Sequence, residues 1–331
     1  MPTGVKTYVR SAVEWADLGI TAGYLRLRHN TPGLIILALH PLFCNPEDLR
    51  AGVAHPLDGI TVQDIRTVVE DFLENGYRFV SPEDILRGLD PAQHYAMLTF
   101  DDSYFRNQYA LAILREYRIP AAFFISTDHV MQNKPYWWDV IYRERSRRGG
   151  AREQFDAEIQ GLKRLTDEQI DAYLDRTFGP AAREVIGDTD RPFTPTELAD
   201  FSRQPGVFLG NHTANHAILT NCSPAGVRSQ LLRAQEAMTA MVGQTPVIVA
   251  YPNGNHSAET VRIAAECGFR LGLTTQAHKN QLPVSIGAEG ALRLGRFSFR
   301  DAHDLRRQCQ RIRSDVSLFR SLQMLRNRPV S

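Results

Sequence analysis

Eight short apolar runs recur along the chain, each parted from the next by amphipathic or turn-forming sequence, and no other feature narrows the possible folds as far. The runs cover residues 34–39, 77–80, 96–100, 121–125, 207–209, 247–250, 271–274 and 292–299. Runs that are apolar throughout, rather than alternating, suit strands buried on both faces, as in a parallel sheet. Helical patterns fill the gaps. Residues 61–75 put Ile65, Val68, Val69 and Phe72 on one face, and Gly76 follows as a stop. Residues 107–117 and 223–241 read the same way. Strands alternating with helices predict βα units, and about eight strands predict a barrel more than an open sheet.

The expected architecture is therefore α/β, a distorted barrel of seven or eight βα units over residues 33–300. One region breaks the alternation. Residues 128–204 are polar and helical in pattern with no strand signal, and read as an insertion between two barrel strands. Residues 1–32 read as an N-terminal helical extension that ends at the breaker His29-Asn30-Thr31-Pro32-Gly33. Residues 301–331 read as an Arg-rich C-terminal helix.

Bulk properties exclude more than they assign. The 331 residues carry 38 basic and 37 acidic side chains, a net charge of +1, so nothing here favours nucleic acid, and a neutral or weakly charged substrate fits. No stretch is long and apolar enough to span a membrane. Residues 1–27 are interrupted by Lys6, Arg10, Glu14, Asp17 and Arg26, which breaks the apolar core a secretory signal needs. Cys44, Cys222, Cys267 and Cys309 have no metal-cage spacing and read as reduced thiols. Together these features predict a cytoplasmic protein. The arginines between Arg306 and Arg328 read as a solvated helix face rather than as a contact with anionic lipid.

In βα barrels functional groups sit where strands end, on the carboxyl face. His40 follows the first run and Asp101-Asp102 the third. His212-Thr213-Ala214-Asn215-His216 follows the fifth, and Tyr251-Pro252-Asn253-Gly254 the sixth. Singly, each is ordinary: paired acids are usually a solvated turn, and a histidine pair four apart is usually a coincidence. Their shared position at strand ends is not. Two imidazoles and one carboxylate make a three-ligand site for a divalent ion, with positions left open for water and substrate. The other carboxylate can take a proton from that water.

In their order along the chain these elements resemble the polysaccharide deacetylases (the NodB-like barrels of carbohydrate esterase family 4). Thr99-Phe100-Asp101-Asp102 resembles the family's Thr-Phe-Asp-Asp-Gly motif, and His212 to His216 its His-Ser/Thr-x-x-His motif. Tyr251-Pro252-Asn253-Gly254 is similar to a variant of its third motif, and Ala121-Ala122-Phe123-Phe124 to the strand after its first. The resemblance runs from about residue 33 to 299. It implies that Asp101 is the general base, that Asp102, His212 and His216 hold the metal, and that the Asn253 N–H helps bind the oxyanion. The family's Leu-Leu-His motif, source of the general acid, normally comes last. Here Leu37-Ala38-Leu39-His40 looks like it and comes first, followed by Gly76-Tyr77-Arg78-Phe79-Val80, the family's usual sequel. The implied order is circularly permuted, with His40 as the acid; His303 is the rival for that role.

Two departures bear on the site. Ser103 stands where the family has glycine, and Ala250 where its third motif has an arginine that pairs with the base; Arg296 is the candidate substitute. The implied activity is metal-dependent hydrolysis of a linear amide, the N-acetyl group of an amino sugar in a polysaccharide or its biosynthetic intermediate. Zinc is the default ion, with cobalt, nickel and manganese also compatible. The rivals are deformylation or deacetylation of a small or lipid-linked amino sugar and, in another class, a catalytically weak glycan binder. Tyr136-Trp137-Trp138-Asp139 reads as an anchor for the insertion before it reads as a sugar-stacking platform.

Overall fold

The computed structural model describes residues 17–27, 30–150, 152–299 and 302–317. Each apolar run contains a strand: β1 Gly33–Leu39, β2 Arg78–Phe79, β3 His94–Phe100, β4 Ala121–Ile125, β5 Val207–Asn211, β6 Ile248–Ala250, β7 Leu271–Leu273 and β8 Phe297–Ser298. They form one curled parallel sheet in the order β7-β6-β5-β4-β3-β1-β8, with β2 pairing with the start of β3.

Two-faced burial explains why the runs are apolar throughout. All seven residues of β1 are buried. Leu34 and Ile36 pack with Met97, Ala122, Phe124 and Ile248 inside the curl. The alternate residues Ile35, Leu37 and Leu39 pack with Leu98, Phe123 and the helix Val62–Glu74 outside it. On β3 the inward set is Tyr95 and Met97, with Ala96, Leu98 and Phe100 facing the helices. The next inward positions are Thr99 and Asp101, so strand alternation alone aims Asp101 at the interior.

The last run does not form one strand. Leu294 bridges to β7, while Phe297 and Ser298 pair with β1, and Glu289–Leu292 is a 3₁₀ turn. Between the two pairings, the Asn280 side chain brackets Gly295, accepting its N–H at 2.8 Å and donating to its carbonyl at 3.0 Å. The split run therefore joins the two edges of the sheet. Gly272, on β7, meets it closely: a Cβ there would lie 2.5 Å from the Leu292 carbonyl oxygen and 2.8 Å from the Tyr251 hydroxyl. Gly272→Ala should thus cost about 1–3 kcal/mol, the usual cost of overpacking. Urea denaturation checks this, and an unchanged midpoint would show that the closure yields freely.

The non-strand region after β4 holds five helices, Thr127–Gln132, Trp137–Arg147, Arg152–Leu162, Asp167–Phe178 and Pro195–Ser202. They divide by packing. Trp138, Ile141, Ile159, Ile170 and Leu174 share a core of their own with Tyr104. Leu198 and Phe201 of the last helix belong to the barrel's outer layer instead.

The C-terminal helix Leu305–Arg313 lies on the helix Val62–Glu74. Its arginines divide: Arg306 and Arg307 lie on a solvated face, Arg306 pairing with Glu74 at 2.8 Å, while Arg313 is buried with Nε 3.1 Å from Asp71. Residues 17–27 are helical. Residues 1–16 of the N-terminal extension, and the tail arginines beyond residue 317, lie outside the described residues.

Candidate metal and catalytic site

Four strand ends bring the site together. His40 directly follows β1, Asp101 and Asp102 follow β3, His212 follows β5, and Asn253 stands in the 3₁₀ turn Pro252–Gly254 after β6. The sheet ladder continues just past these ends. Asp101 N donates to Leu39 O at 2.9 Å and His212 N to Ile125 O at 3.0 Å, which holds the first residues of each loop in register. Beyond that point the backbone turns sharply. Asp102, Ser103, Thr213, His216 and Asn253 all have φ between 46° and 71°, a left-handed region that residues with a Cβ enter at a cost. The serine in the glycine place does adopt this conformation, and its Oγ accepts the Ser126 N–H at 2.7 Å, which helps to hold it there.

The left-handed turn at Asp102 parts the two carboxylates. Asp101 keeps the inward direction and meets Arg296, whose two terminal nitrogens each donate to one carboxylate oxygen at 2.8 Å. Arg296 is itself buried and fixed by Nε donating to Thr274 O at 3.0 Å and by a bond to Thr99 Oγ1 at 3.2 Å. Burial alone would raise the Asp101 carboxyl. The guanidinium, and next His212, more than offset this and hold it below the usual carboxylate range.

Asp102 turns toward the two imidazoles. Its Oδ1 lies 3.3 Å from both His212 Nε2 and His216 Nε2. His212 Nδ1 is 2.8 Å from the Ala250 carbonyl, which can only accept, so Nδ1 carries the proton and Nε2 keeps its lone pair. Asp102 Oδ1 is buried without a hydrogen-bond partner of its own. One ligand atom from each of Asp102, His212 and His216 falls within 4.8 Å of the others. A buried carboxylate oxygen lacking a donor, beside two nitrogen lone pairs, is the donor set a divalent ion fits.

His40 lines the same cavity as Asp102 and His216. Its Nδ1 is 2.7 Å from Asp58 in the loop after β1. Burial works against the imidazolium, yet the Asp58 carboxylate prevails, with smaller contributions from Asp102 and Asp101, and pushes the pKa up to about 9. His303 is exposed on the turn before the C-terminal helix and does not line the cavity.

The cavity measures about 570 Å³ and is walled on its far side by the inserted helices. Tyr136 and Trp138 are buried and stack at 4.6 Å, and Trp138 sets its edge against the His216 ring at 4.8 Å. Trp138 Nε1 donates to Tyr104 OH at 3.0 Å, and Tyr104 donates to Asp139 at 2.6 Å. These aromatics thus anchor the insertion and brace His216 together, while Trp137 faces the cavity. Three participants escaped the sequence reading: Asp58, Tyr104 and Lys163. Lys163 Nζ donates to Asn253 Oδ1 at 2.6 Å, and burial draws its ammonium below its usual range. Of these, only Asp58 had an available signal, an acid in the loop directly after the His40 strand.

Comparison with known proteins bears on the family and the fold. The polysaccharide deacetylase family model matches residues 88–272, more than half of the chain. YxkH of Bacillus subtilis (strain 168), which bears the same family description, is 22% identical over 208 residues. That match covers 61% of this chain and 54% of YxkH, so the chain spans about half the length of this relative. Among solved structures, IcaB from Ammonifex degensii aligns over 86% of this chain and 99% of its own, with a TM-score of 0.57 at 14% identity. The Streptococcus pyogenes deacetylase PplD, solved in complex with acetate, aligns over 81% and 92%, with a TM-score of 0.53 at 20% identity. At such identities the structures speak for the fold. The extent of the family match, over a barrel of the same architecture, makes this chain a member of the polysaccharide deacetylase family.

Proposed function

We propose that the chain hydrolyses the N-acyl group, most simply N-acetyl, of an amino sugar, using a divalent ion held by Asp102, His212 and His216. The observation that carries this is the division of labour between adjacent carboxylates. Asp101 is clamped by Arg296, and Asp102 faces two imidazoles whose ligand atoms lie within 4.8 Å of its own. Such an ion supplies Lewis acidity toward the acyl carbonyl and lowers the pKa of water. With two nitrogens and one carboxylate as donors, zinc is the leading choice.

The protein's own groups cover the proton transfers. Asp101 is ionised at neutral pH because Arg296 holds it so, and it accepts the proton of the attacking water. Arg296 fixes the direction of that carboxylate and takes the place of the arginine missing from the third motif. The Asn253 N–H is assigned to the carbonyl oxygen as negative charge develops there. His40, charged at neutral pH, donates a proton to the departing sugar nitrogen. β1 lies in the sheet between β3 and β8, which supports a circularly permuted order: a histidine carried on the first strand arrives beside the first motif's acids. The four cysteines stand as free thiols, which suits a cytoplasmic protein.

The test is mass spectrometry of N-acetyl and N-formyl amino sugars, free and lipid-linked, incubated with zinc-loaded protein. Loss of the acyl mass is expected, and its absence from every substrate would remove this reading in favour of glycan binding.

Asp58→Asn gives a second test. A general acid works in its protonated form, so turnover falls as pH rises through the acid's pKa. Removing the Asp58 charge lowers the His40 pKa from about 9 toward its ordinary value of 6.5, so the basic limb should move to lower pH. A basic limb that stays in place in Asp58→Asn would show that another group protonates the amine.

A further inference from the structure

The inserted helices do more than wall the cavity. Helix Arg152–Leu162 and the turn after it cross above the strand ends and are tied to three separate rim loops. Lys163 Nζ donates to Asn253 Oδ1 at 2.6 Å, a link to the loop after β6. The Lys163 carbonyl accepts from Asn221 Nδ2 at 2.9 Å, a link to the segment after β5. Asp156, earlier in the helix, lies 3.2 Å from His55 Nε2 in the loop after β1. In the sheet order, β1 flanks β3 on one side while β5 and β6 lie on the other, beyond β4. The links therefore fall on both sides of the Asp101-Asp102 strand end.

We propose that this roof makes the site a dead-end chamber, which takes an amino sugar at the end of a chain or on a small carrier and excludes residues inside a polymer. The inference rests on the deacylation reading above and names the substrate class for it. A sugar in mid-chain needs two exits for its neighbours, along a groove running past the metal ligands. Here polar links from the inserted helix stand on both sides of the Asp101-Asp102 strand end, where such neighbours would have to pass. The cavity of about 570 Å³ has the size of one that holds a single small ligand, within the range of about 300–1,000 Å³ usual for such pockets. The lining also suits an enclosed sugar. Trp137, Ile159 and Ile170 offer apolar surface, and Asp167, Gln160 and Gln230 offer polar atoms to hydroxyl groups.

Zinc-loaded protein and N-acetylglucosamine oligomers of one to six units test the chamber. Tandem mass spectrometry locates each freed amine, which is expected at one terminal unit only; amines at internal units would overturn the proposal. A second arm does not need turnover: calorimetric binding of the same oligomers to zinc-loaded Asp101→Asn. Affinity should level off after the first or second unit. Steady tightening with length, or no binding at any length, would overturn the chamber. If no oligomer loses its acyl group while binding is independent of length, the reaction reading fails and the chamber stands. The double variant Asp156→Ala/Asn221→Ala loosens the roof away from the ligands. It should release amines at internal units, which the wild type leaves acylated, because only two partly exposed polar links hold the roof there. Release still confined to the terminal unit would show that the roof does not set the selectivity.

Discussion

His212→Ala is expected to lose the divalent ion and to lower turnover by about 10³-fold or more, since a catalytic ion contributes several kcal/mol of charge stabilisation. The structure makes this residue hard to replace. Its Nδ1 proton is committed to the Ala250 carbonyl, so Nε2 is presented as a lone pair at a fixed angle. Its ring is buried, with the Phe124 ring on one side at 6.4 Å and the His216 ring on the other at 4.9 Å. Removing it also leaves Asp102 with one imidazole where it had two. Elemental analysis after dialysis against trace metal measures the loss. A variant that keeps its full metal content would overturn the ligand assignment.

Asp101→Asn should separate the two carboxylates. It keeps the metal, because Asp102 and not Asp101 faces both imidazoles, and it lowers turnover by about 10²–10⁴-fold, the usual contribution of a positioned base. The sign of the pH dependence follows from the Arg296 pair. A base works deprotonated, so activity is lost as pH falls through its pKa. Arg296 holds that pKa below the usual carboxylate value, so the acidic limb of the wild-type profile should lie at correspondingly low pH. Equal metal loss in Asp101→Asn and Asp102→Asn would mean that the two acids share the ion.

How far these residues could be read from sequence follows from the range of the forces that place them. Each apolar run marks a strand because two-faced burial demands apolar side chains at consecutive positions, and that demand is local. The ends of those runs were legible for the same reason, so His40, the acid pair, the histidine pair and Asn253 could all be placed on one face. The parting of Asp101 from Asp102 was half legible: alternation aims Asp101 inward, but the left-handed turn that swings Asp102 to the imidazoles is a property of the folded loop. The last run was legible as apolar and not as two pieces. Its split depends on Asn280 bracketing Gly295, a contact across fifteen residues.

Arg296 marks the boundary between the two kinds of information. The sequence could offer it as a replacement for the missing arginine, but its pairing with Asp101 spans 195 positions, and only the folded sheet brings β8 beside β1, one strand from β3. Tyr104 behind Trp138 and Lys163 across the mouth on Asn253 are contacts of the same kind, made between loops and an insertion whose own patterns carry no trace of one another. By itself, then, the sequence determined the barrel, the order of its strands along the chain and the residues at their ends, because burial periodicity and strand polarity act within a few residues. Only the tertiary structure decided which acid faces the ligands, which charges tune the base and the acid, and that the insertion lies over the site as a roof. Those depend on directional contacts between segments far apart in the chain, and such contacts are fixed only when the sheet has closed and the helices have packed.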